Sequence, residues 1–321
     1  MITPTDPILI VGAGSVGERH LRNLLALGYG NLVAYRQRNL PFRTLDPGVV
    51  RVVTDFAEAL ALGPKAAFIA SPTAQHLPQA LACAEAGMHL LIEKPLSHTV
   101  EGLDQLKAVA ARRGVYVQVG YMMRFHPLVR ELKAIIDEGR YGRLLSFTTR
   151  WGEYLPDWHP WEDYRTSYAA RKELGGGAAL TLSHDLDLVL WLVPSPLAGH
   201  YALSNHASAL EVDVEAGMDF LLQFRDGTTG HVHLNFFEQP ATRYLHFAFE
   251  RGTVRFDYYD NALKISTPAG EEELSREGFD RNQLFLDQTE YFLRKTRSFD
   301  PAEALAQIEQ SERIISLCDK P

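Results

Sequence analysis

Short apolar runs alternate with stretches of helical spacing over the first 120 residues of the chain. The mostly apolar runs predict buried strands at Ile8–Val11, Leu32–Tyr35, Ala66–Ala70, His89–Ile92 and Tyr116–Val119. Helical spacing occupies the segments Ser15–Leu27, Phe56–Leu62, Gln75–Ala86 and Val100–Arg112, and a glycine stands where each helix should end. Strand–helix alternation of this kind predicts a doubly wound parallel sheet with right-handed crossovers.

The pattern changes after a further predicted helix, Pro127–Glu138. Alternation of apolar and polar residues then predicts strands at Gly142–Trp151, Ala216–Phe224, Thr229–Phe236, Tyr244–Glu250, Thr253–Tyr258 and Ala262–Ser266. Helices are predicted at Ala178–Leu192, after three glycines, and at Gln283–Lys295 and Pro301–Leu317. We therefore expect an α/β domain over residues 1–120, followed over residues 121–321 by an α+β domain with a mostly antiparallel open sheet.

Composition and charge narrow the class of function. The 321 residues are 46% hydrophobic and 22% charged, as is typical of a globular chain with a buried core. The formal net charge of −8 disfavours a general attraction to nucleic acid. No apolar run approaches the roughly 20 residues of a membrane helix, and no signal peptide is evident. Cys83 and Cys318 are far apart in apolar helical patterns, so we expect reduced thiols and a cytoplasmic enzyme without a membrane or nucleic-acid partner.

A glycine-rich loop follows the first predicted strand and opens the first predicted helix. Its residues Gly12, Ala13, Gly14, Ser15, Val16 and Gly17 match the pattern G-x-G-x-x-G in the context that the motif requires. Gly12 permits the tight turn, Gly14 lets the backbone approach a pyrophosphate, and Gly17 lets helix and strand pack closely. The helix N-terminus then offers amide donors to the phosphates. The loop predicts a dinucleotide-binding Rossmann domain.

The residues after the second predicted strand indicate which dinucleotide is bound. An NAD-selective site usually places a carboxylate there, where it accepts from the ribose 2′-hydroxyl. This chain has Arg36 and Arg38 instead, and a guanidinium can pair with a 2′-phosphate. We expect NADP(H) to be preferred over NAD(H), with Arg36 as the main contact and Arg38 as the second. The alternative is that both arginines are solvated loop charges.

Several further motifs stand in order along the chain. They are Ser71-Pro72-Thr73 with His76, the tripeptide Glu93-Lys94-Pro95, the glycines 175–177, and the segment Ser183–Asp187. Together with the glycine loop, they resemble the glucose–fructose oxidoreductase / inositol dehydrogenase (Gfo/Idh/MocA) family over nearly the whole chain. The resemblance implies a nicotinamide-dependent oxidation or reduction at a secondary alcohol or ketone of a sugar, cyclitol or related polyol.

The resemblance also implies roles for individual residues. Lys94 is similar to the catalytic lysine of the family and His184 to the histidine of its catalytic helix. The residues expected beside the nicotinamide and its ribose are Ser71, Pro72, Thr73, His76, Glu93, Lys94 and Tyr121, and the family commonly has a cis bond before the proline that is Pro95 here. A lysine near the nicotinamide and away from water can have its pKa lowered toward neutrality, which suits proton transfer with the substrate hydroxyl.

The chain departs from the family pattern on the catalytic helix. Many members carry an aspartate one turn before the histidine, where this chain has Leu180 and Thr181. The departure leaves open what supports His184 in moving a proton. Thr181 could contact the substrate, and Asp187 could either orient His184 or pair elsewhere within the fold.

A loop rich in aromatic and charged residues precedes that helix. Trp158, Arg165 and Tyr168 are candidates for substrate contacts, because aromatic faces pack on sugar C–H surfaces and arginines bind carboxylate or phosphate. Arg124, near the expected hinge, is a further candidate. The alternative for each loop residue is a clamp at the domain interface. The pairs Asp157 with His159 and His231 with His233 fit metal ligation poorly, so we predict no metal requirement.

The sequence leaves other functions and the assembly open. Enzymes of related fold can use nicotinamide transiently for sugar elimination or hydrolysis, and the missing helix aspartate allows a non-catalytic sensor of a sugar or dinucleotide. An antiparallel sheet covered by helices on one face needs cover on the other, whether that face carries Val232, Leu234 and Phe236 or their alternates. Since family members often assemble through this sheet, we expect a homodimer or homotetramer.

Overall fold

Six parallel strands form the first sheet of the computed structural model, which describes residues 2–38, 41–46 and 48–319. The strand order is β3-β2-β1-β4-β5-β6, and every neighbouring pair is parallel. The elements in chain order are β1 (Ile8–Val11), α1 (Ser15–Ala26), β2 (Leu32–Tyr35), β3 (Arg51–Val53), α2 (Phe56–Ala61), β4 (Ala66–Ile69), α3 (His76–Glu85), β5 (His89–Ile92), α4 (Leu103–Arg113) and β6 (Val117–Val119). The doubly wound parallel sheet is confirmed.

The central strands explain why the apolar runs predicted this sheet so well. Every residue of β1 and of β4 is buried, because helices cover both faces of the sheet. The strand order reverses between these two strands, so the connections after them lead to opposite faces and leave a crevice at their carboxyl ends. The sequence did not predict β3, an edge strand of three residues with an exposed arginine at its start.

Two helices near the end of the chain complete the core of this first sheet. They are α8 (Asn282–Lys295) and α9 (Pro301–Cys318). Phe292 of α8 is fully buried with Ile8 and Phe68, and its ring lies 5.3 Å from that of Phe68 and 6.1 Å from that of Tyr116. The chain accordingly divides into one unit of Met1–Tyr121 with Asn282–Ile315 and a second of Met122–Arg281 with Ser316–Pro321. The sequence-based division instead left all of residues 121–321 in the second domain, because the apolar face of a helix does not reveal which sheet it covers.

Eight strands form the sheet of the second unit, in the order β14-β13-β12-β11-β7-β10-β9-β8. All neighbouring pairs are antiparallel except β7 with β10. The elements are α5 (Pro127–Asp137), β7 (Leu144–Tyr154), α6 (Ala178–Thr181), α7 (His184–Leu192), β8 (Leu197–Asn205), β9 (Gly217–Phe224), β10 (Thr229–Asn235), β11 (Phe237–Phe249), β12 (Gly252–Asp257), β13 (Ala262–Thr267) and β14 (Gly270–Ser275). The mostly antiparallel open sheet is confirmed, as is the hairpin of β9 and β10.

In the second unit one predicted element was wrong and two strands were missed. The single helix expected over residues 178–192 is two helices, α6 and α7, with Leu182 and Ser183 between them. Thr181 and Ser183 on either side of Leu182 are weak helix formers, which fits an interruption there. The strands β8 and β14 were not predicted, because β14 is largely polar and exposed and β8 is irregularly exposed at the other edge.

The two faces of the second sheet differ in burial. Val232, Leu234 and Phe236 are fully buried on the inner side, against which α5, α6 and α7 pack. His231 and His233, their alternates on β10, point to the outer face, as do the exposed Tyr201 and Leu221 on β8 and β9. The structure thus settles which of the two sets faces outward.

A buried ion pair ties α7 to the sheet of the second unit. Arg243 of β11 donates from Nε at 3.1 Å and from Nη2 at 2.7 Å to Oδ1 of Asp185, and both side chains are almost fully buried. The guanidinium also lies over the ring of Trp151, 3.7 Å from its centroid. Asp185 and Arg243 are 58 residues apart in sequence, so no local sequence pattern predicts that they pair.

Neither cysteine has a disulfide partner in the structure. Cys83 is buried on α3, and burial raises the pKa of its thiol to about 12. Both are free thiols, as the sequence predicts. None of the helices in the described ranges combines the length and apolar character needed to cross a bilayer.

Replacing Phe292 with Ala tests whether α8 belongs to the first core. We expect a loss of about 3–5 kcal/mol in the free energy of unfolding, because a fully buried ring is removed. Glu290→Ala on the exposed side of the same helix is the control and should cost less than about 0.5 kcal/mol. Urea denaturation followed by circular dichroism measures both. Equal effects of the two variants would show that α8 does not complete this core.

Arg243→Met tests the buried ion pair. The variant should lose about 3–5 kcal/mol of stability, because Asp185 keeps a buried charge without its partner. The matched control is Arg255→Met, since Arg255 also lies over an aromatic ring, that of Tyr244 at 3.9 Å, but is partly exposed. Combining Arg243→Met with Asp185→Leu should recover part of the loss in the same denaturation experiment. A double variant that is less stable than Arg243→Met contradicts this account.

Candidate active site

The glycine loop lies against the exit of β4. Gly12 has φ +87°, and a Cβ there would meet the Ser71 backbone nitrogen at 2.7 Å and the Ala70 carbonyl oxygen at 2.8 Å. Only glycine fits this combination of conformation and close approach. Gly14 caps the start of α1, with Ser15 behind it, and space is open around its Cα. The amides of the first turn of α1 are therefore placed to bind phosphate, as the motif predicts.

Arg36 is held at the edge of the glycine loop. Its backbone nitrogen donates to the Val53 carbonyl at 3.1 Å, which places the residue directly after β2. Its Nη2 donates to the Ala13 carbonyl at 3.2 Å, and its guanidinium lies 5.0 Å from the centroid of the Phe42 ring. Arg38 is exposed farther along the same loop. The structure thus brings Arg36, rather than Arg38, to the glycine loop.

The exits of β4 and β5 are joined by His76. Its ring is buried, with Nε2 2.7 Å from the Ser71 carbonyl oxygen and Nδ1 2.8 Å from the Pro95 carbonyl oxygen. Ser71 itself donates from Oγ to Gln79 at 2.6 Å, and Thr73 is buried in the turn that precedes α3. Both ring nitrogens of His76 face backbone carbonyls. The contact with cofactor that the resemblance implies for this residue therefore does not use those nitrogens.

Lys94 stands between two fixed residues at the end of β5. Pro95 is buried and the Lys94–Pro95 bond is cis, as the resemblance implies. Glu93 Oε1 lies 2.8 Å from Nε2 of His20, which is fully buried on α1. Burial alone would raise the pKa of Glu93, but the His20 hydrogen bond and the charges of His20 and Lys94 hold it below its ordinary value. Lys94 is partly exposed, and Tyr121 is buried just after β6.

Sequence reasoning missed His20 as a partner of Glu93. The residue lies three positions after Gly17 on α1, so helical spacing places it on the face that packs against the sheet. A buried histidine on such a face gives a signal for a polar partner, but the partner is 73 residues away. The pattern alone therefore could not identify Glu93.

The glycines before α6 meet the carboxylate of Glu215. Gly177 has φ +111°, and a Cβ there would collide with Oε1 of Glu215. The same oxygen accepts from the Ala179 backbone nitrogen at 3.3 Å, in the first turn of α6. Thr181 and His184, both buried, follow on the two short helices. The glycine run thus lets a carboxylate cap the helix that precedes His184.

His184 packs on Trp151, the aromatic ring over which the Arg243 guanidinium lies. Its ring centroid is 5.9 Å from that of Trp151. Burial raises the pKa of the neighbouring Asp185, because loss of solvent outweighs the attraction of Arg243. Trp151 donates from Nε1 to Glu153 at 2.9 Å. These partners of α7 come from β7 and β11 and were not predicted.

Asp187 is paired with Arg124. Arg124 Nε donates to Oδ2 of Asp187 at 2.8 Å, and Nη2 donates to Oδ1, in a bidentate arrangement. Of the two roles that the sequence left open for Asp187, the structure therefore shows pairing within the fold. Arg124, expected to contact substrate, is part of this pair.

The loop before α6 consists of short turns. Trp158 packs edge-on against Phe236, with ring centroids 5.6 Å apart. Arg165 is exposed and pairs with Asp163 at 2.9 Å and with Glu211 at 3.4 Å, while Tyr168 is also exposed. The substrate roles of these three side chains stay predictions.

His231 and His233 share one carboxylate on the outer face of the second sheet. Asp219 Oδ1 lies 2.8 Å from Nε2 of His231 and 2.7 Å from Nδ1 of His233. Asn235 Oδ1 accepts from the Phe237 backbone, so its amide nitrogen must face His233 Nε2, 3.0 Å away. His233 Nε2 therefore accepts this hydrogen bond, and Nδ1 of His233 carries the proton. The structure thus brings one carboxylate oxygen and two imidazole nitrogens within 4.8 Å of one another, and the absence of a metal requirement stays a prediction.

Two family models cover most of the chain. A model described as an oxidoreductase family with an NAD-binding Rossmann fold matches residues 7–121. A model of the GFO/IDH/MocA C-terminal domain matches residues 129–255. The matched segments contain the glycine loop, Lys94 and His184.

Curated relatives agree with these models. The uncharacterized oxidoreductase YrbE of Bacillus subtilis (strain 168) is 31% identical over 230 residues, which cover 68% of this chain and 63% of the relative. Levoglucosan dehydrogenase of Pseudarthrobacter phenanthrenivorans is 28% identical over 236 residues, covering 66% and 60%. The matches thus span less than two thirds of the length of these two relatives.

The fold recurs in solved structures. Levoglucosan dehydrogenase in complex with NADH superposes with a TM-score of 0.83 at 19% identity, over 98% of this chain and 95% of that chain. At this level of identity the likeness concerns the fold, and it includes both the parallel and the mostly antiparallel sheet. With both domain models matched in order, the chain belongs to the Gfo/Idh/MocA oxidoreductase family.

Proposed function

We propose that the chain is a nicotinamide-dependent oxidoreductase that transfers a hydride between the cofactor and a secondary alcohol or ketone of a sugar, cyclitol or sugar derivative. The observation that carries the proposal is the continuous edge from the glycine loop to Lys94. Gly12 lies against Ser71, and His76 joins Ser71 to Pro95, the residue after Lys94. A dinucleotide on the glycine loop would extend along this edge toward the lysine amine.

The residues of the first unit divide the work of such a reaction. The bound nicotinamide supplies or accepts the hydride. The first turn of α1 binds the phosphates, and the exit of β4 supports the nicotinamide end. Lys94 Nζ takes the proton from the substrate hydroxyl during oxidation and returns it to the carbonyl oxygen during reduction. The Glu93–His20 hydrogen bond fixes the backbone on which Lys94 stands.

In the second unit, we assign His184 a contact with the substrate oxygen and Thr181 a supporting hydrogen bond. The support for His184 is its fixed position, since it packs on Trp151 and the next residue is bound by Arg243. Arg124, Trp158, Arg165 and Tyr168 are proposed to set the substrate preference. The levoglucosan of the relative's name belongs to the same chemical class as the sugar-like alcohol proposed here.

We further infer a preference for NADP(H) over NAD(H). The family model is described as NAD-binding, and the solved relative holds NADH. Arg36 supports the finer assignment, because its guanidinium is held between the Ala13 carbonyl and the Phe42 ring beside the glycine loop. That position suits pairing with a 2′-phosphate and stacking on adenine.

The outer face of the second sheet supports assembly as a homodimer or homotetramer. Tyr201, Leu203 and Leu221 lie there with 59%, 54% and 56% of their surfaces exposed. Neighbouring exposed apolar residues of this size commonly mark an interaction site. A second copy of the chain in the cytoplasm is the proposed partner.

Arg36→Ala tests the cofactor preference. Loss of a charge-assisted contact should weaken NADPH binding about 10- to 100-fold. NADH, which lacks the 2′-phosphate, should change less than about threefold. Titration of nicotinamide fluorescence measures both constants. Arg38→Ala is the matched control and should have the smaller effect. If Arg36→Ala weakens both cofactors alike, the preference is wrong.

Lys94→Met tests the reaction itself. With a panel of polyols, sugars and sugar nucleotides, the native chain should consume or form reduced nicotinamide in equal amount to product. Lys94→Met should lower turnover at least about 10²-fold, because the proton acceptor is lost, with cofactor binding nearly unchanged. Lys107→Met, which removes a surface ion pair with Glu312, is the control.

Two outcomes favour the other functions. Product formed without net change in nicotinamide would indicate elimination or hydrolysis. Cofactor and sugar binding without any turnover in the native chain, unaffected by Lys94→Met, would indicate a sensor.

A further inference from the structure

His76 is enclosed between two groups that can only accept hydrogen bonds. The Ser71 carbonyl oxygen is 2.7 Å from Nε2, and the Pro95 carbonyl oxygen is 2.8 Å from Nδ1. Both distances are those of good hydrogen bonds. The side chain is buried, so water does not replace either partner.

The protonation state follows from the number of donors. A neutral imidazole has one N–H, so one of its nitrogens would direct a lone pair at a carbonyl oxygen at hydrogen-bond distance. That contact is repulsive, and it would leave a buried carbonyl without a donor. The doubly protonated ring donates to both oxygens. The geometry points to His76 being a buried imidazolium that fixes the Ser71 and Pro95 carbonyls and thereby serves as a positioning residue for Lys94.

The charges around His76 act in both directions. On balance the pKa of His76 lies below its ordinary value, because burial is the largest influence and Lys94 opposes the charge as well. The first turn of α3 also disfavours a cation. The two carbonyl hydrogen bonds and the Glu93 carboxylate act in the opposite direction. Gln75 and Gln79, the polar neighbours on the same turn, are uncharged. The geometry favours the cation against this balance, because the neutral ring cannot satisfy the two acceptors between which it is held.

A cation at this position has a consequence for Lys94. Like charges disfavour each other, so the imidazolium favours the neutral amine of Lys94. A neutral amine is the form that accepts the substrate proton, and this second step rests on the proposed function. Glu93, bound by His20, offsets part of the positive charge and is held in the charged form itself.

Nitrogen NMR of the full-length chain, labelled on histidine, tests the protonation state without any turnover. His76→Gln assigns the signal by its loss. At pH 7 and above, both ring nitrogens of His76 should carry protons. His89 is the internal reference, because its Nδ1 accepts from the Tyr116 backbone at 2.9 Å and must lack a proton. A single protonated nitrogen on His76 at pH 7 overturns the proposal.

The pH profile of turnover tests the effect on Lys94. In His76→Gln the rise of kcat/KM with pH in the direction of alcohol oxidation should move upward by about one unit, because a neighbouring cation is gone. His89→Gln should leave the profile in place. An unmoved profile in His76→Gln overturns the role toward Lys94. If the native chain shows no turnover at all, the proposed function fails, while the NMR result still decides the charge of His76.

Discussion

The close packing of the glycine loop on the exit of β4 is the constraint from which the first unit is organised. Gly12 leaves no room for a side chain between its own backbone and that of Ala70 and Ser71. The glycine loop and the exit of β4 therefore stay in direct contact. His76 extends the same fixed frame to Pro95, and the Glu93–His20 pair holds it from the other side. Lys94, which is partly exposed, stands within this frame.

In the second unit, the buried helix α7 carries charged side chains that need partners. Two carboxylates stand in the first turn of α7, where the helix dipole favours negative charge. Each has its own arginine, Arg243 for Asp185 and Arg124 for Asp187. Because both are paired with arginines, neither Asp185 nor Asp187 takes the place of the aspartate that many family members carry before the histidine. His184 is supported instead through Trp151, an aromatic ring backed by a guanidinium.

The sequence predicted the parts of the fold whose residues are uniformly buried. The central strands β1 and β4 are apolar throughout because helices cover both faces, and the β9–β10 hairpin has its own turn residues. Edge strands such as β3 and β14 lack that signal. For the candidate site, local motifs pointed to the glycine loop and to Lys94, whose roles stay predictions. Partners that are distant in the chain, such as Arg243 for Asp185, depend on the register between strands and helices, which no local pattern contains.

The return of α8 to the first unit affects how the newly made chain can fold. Phe292 and Leu293 complete a core whose first strand begins at Ile8. During synthesis residues 122–281, nearly all of the second unit, leave the ribosome before these residues do. The nucleotide-binding half therefore cannot close its core in the usual order, with the N-terminal domain finished first. The apolar face of its sheet that α8 and α9 cover stays exposed until these last helices are made. In that interval the growing chain is most prone to aggregation and to chaperone binding.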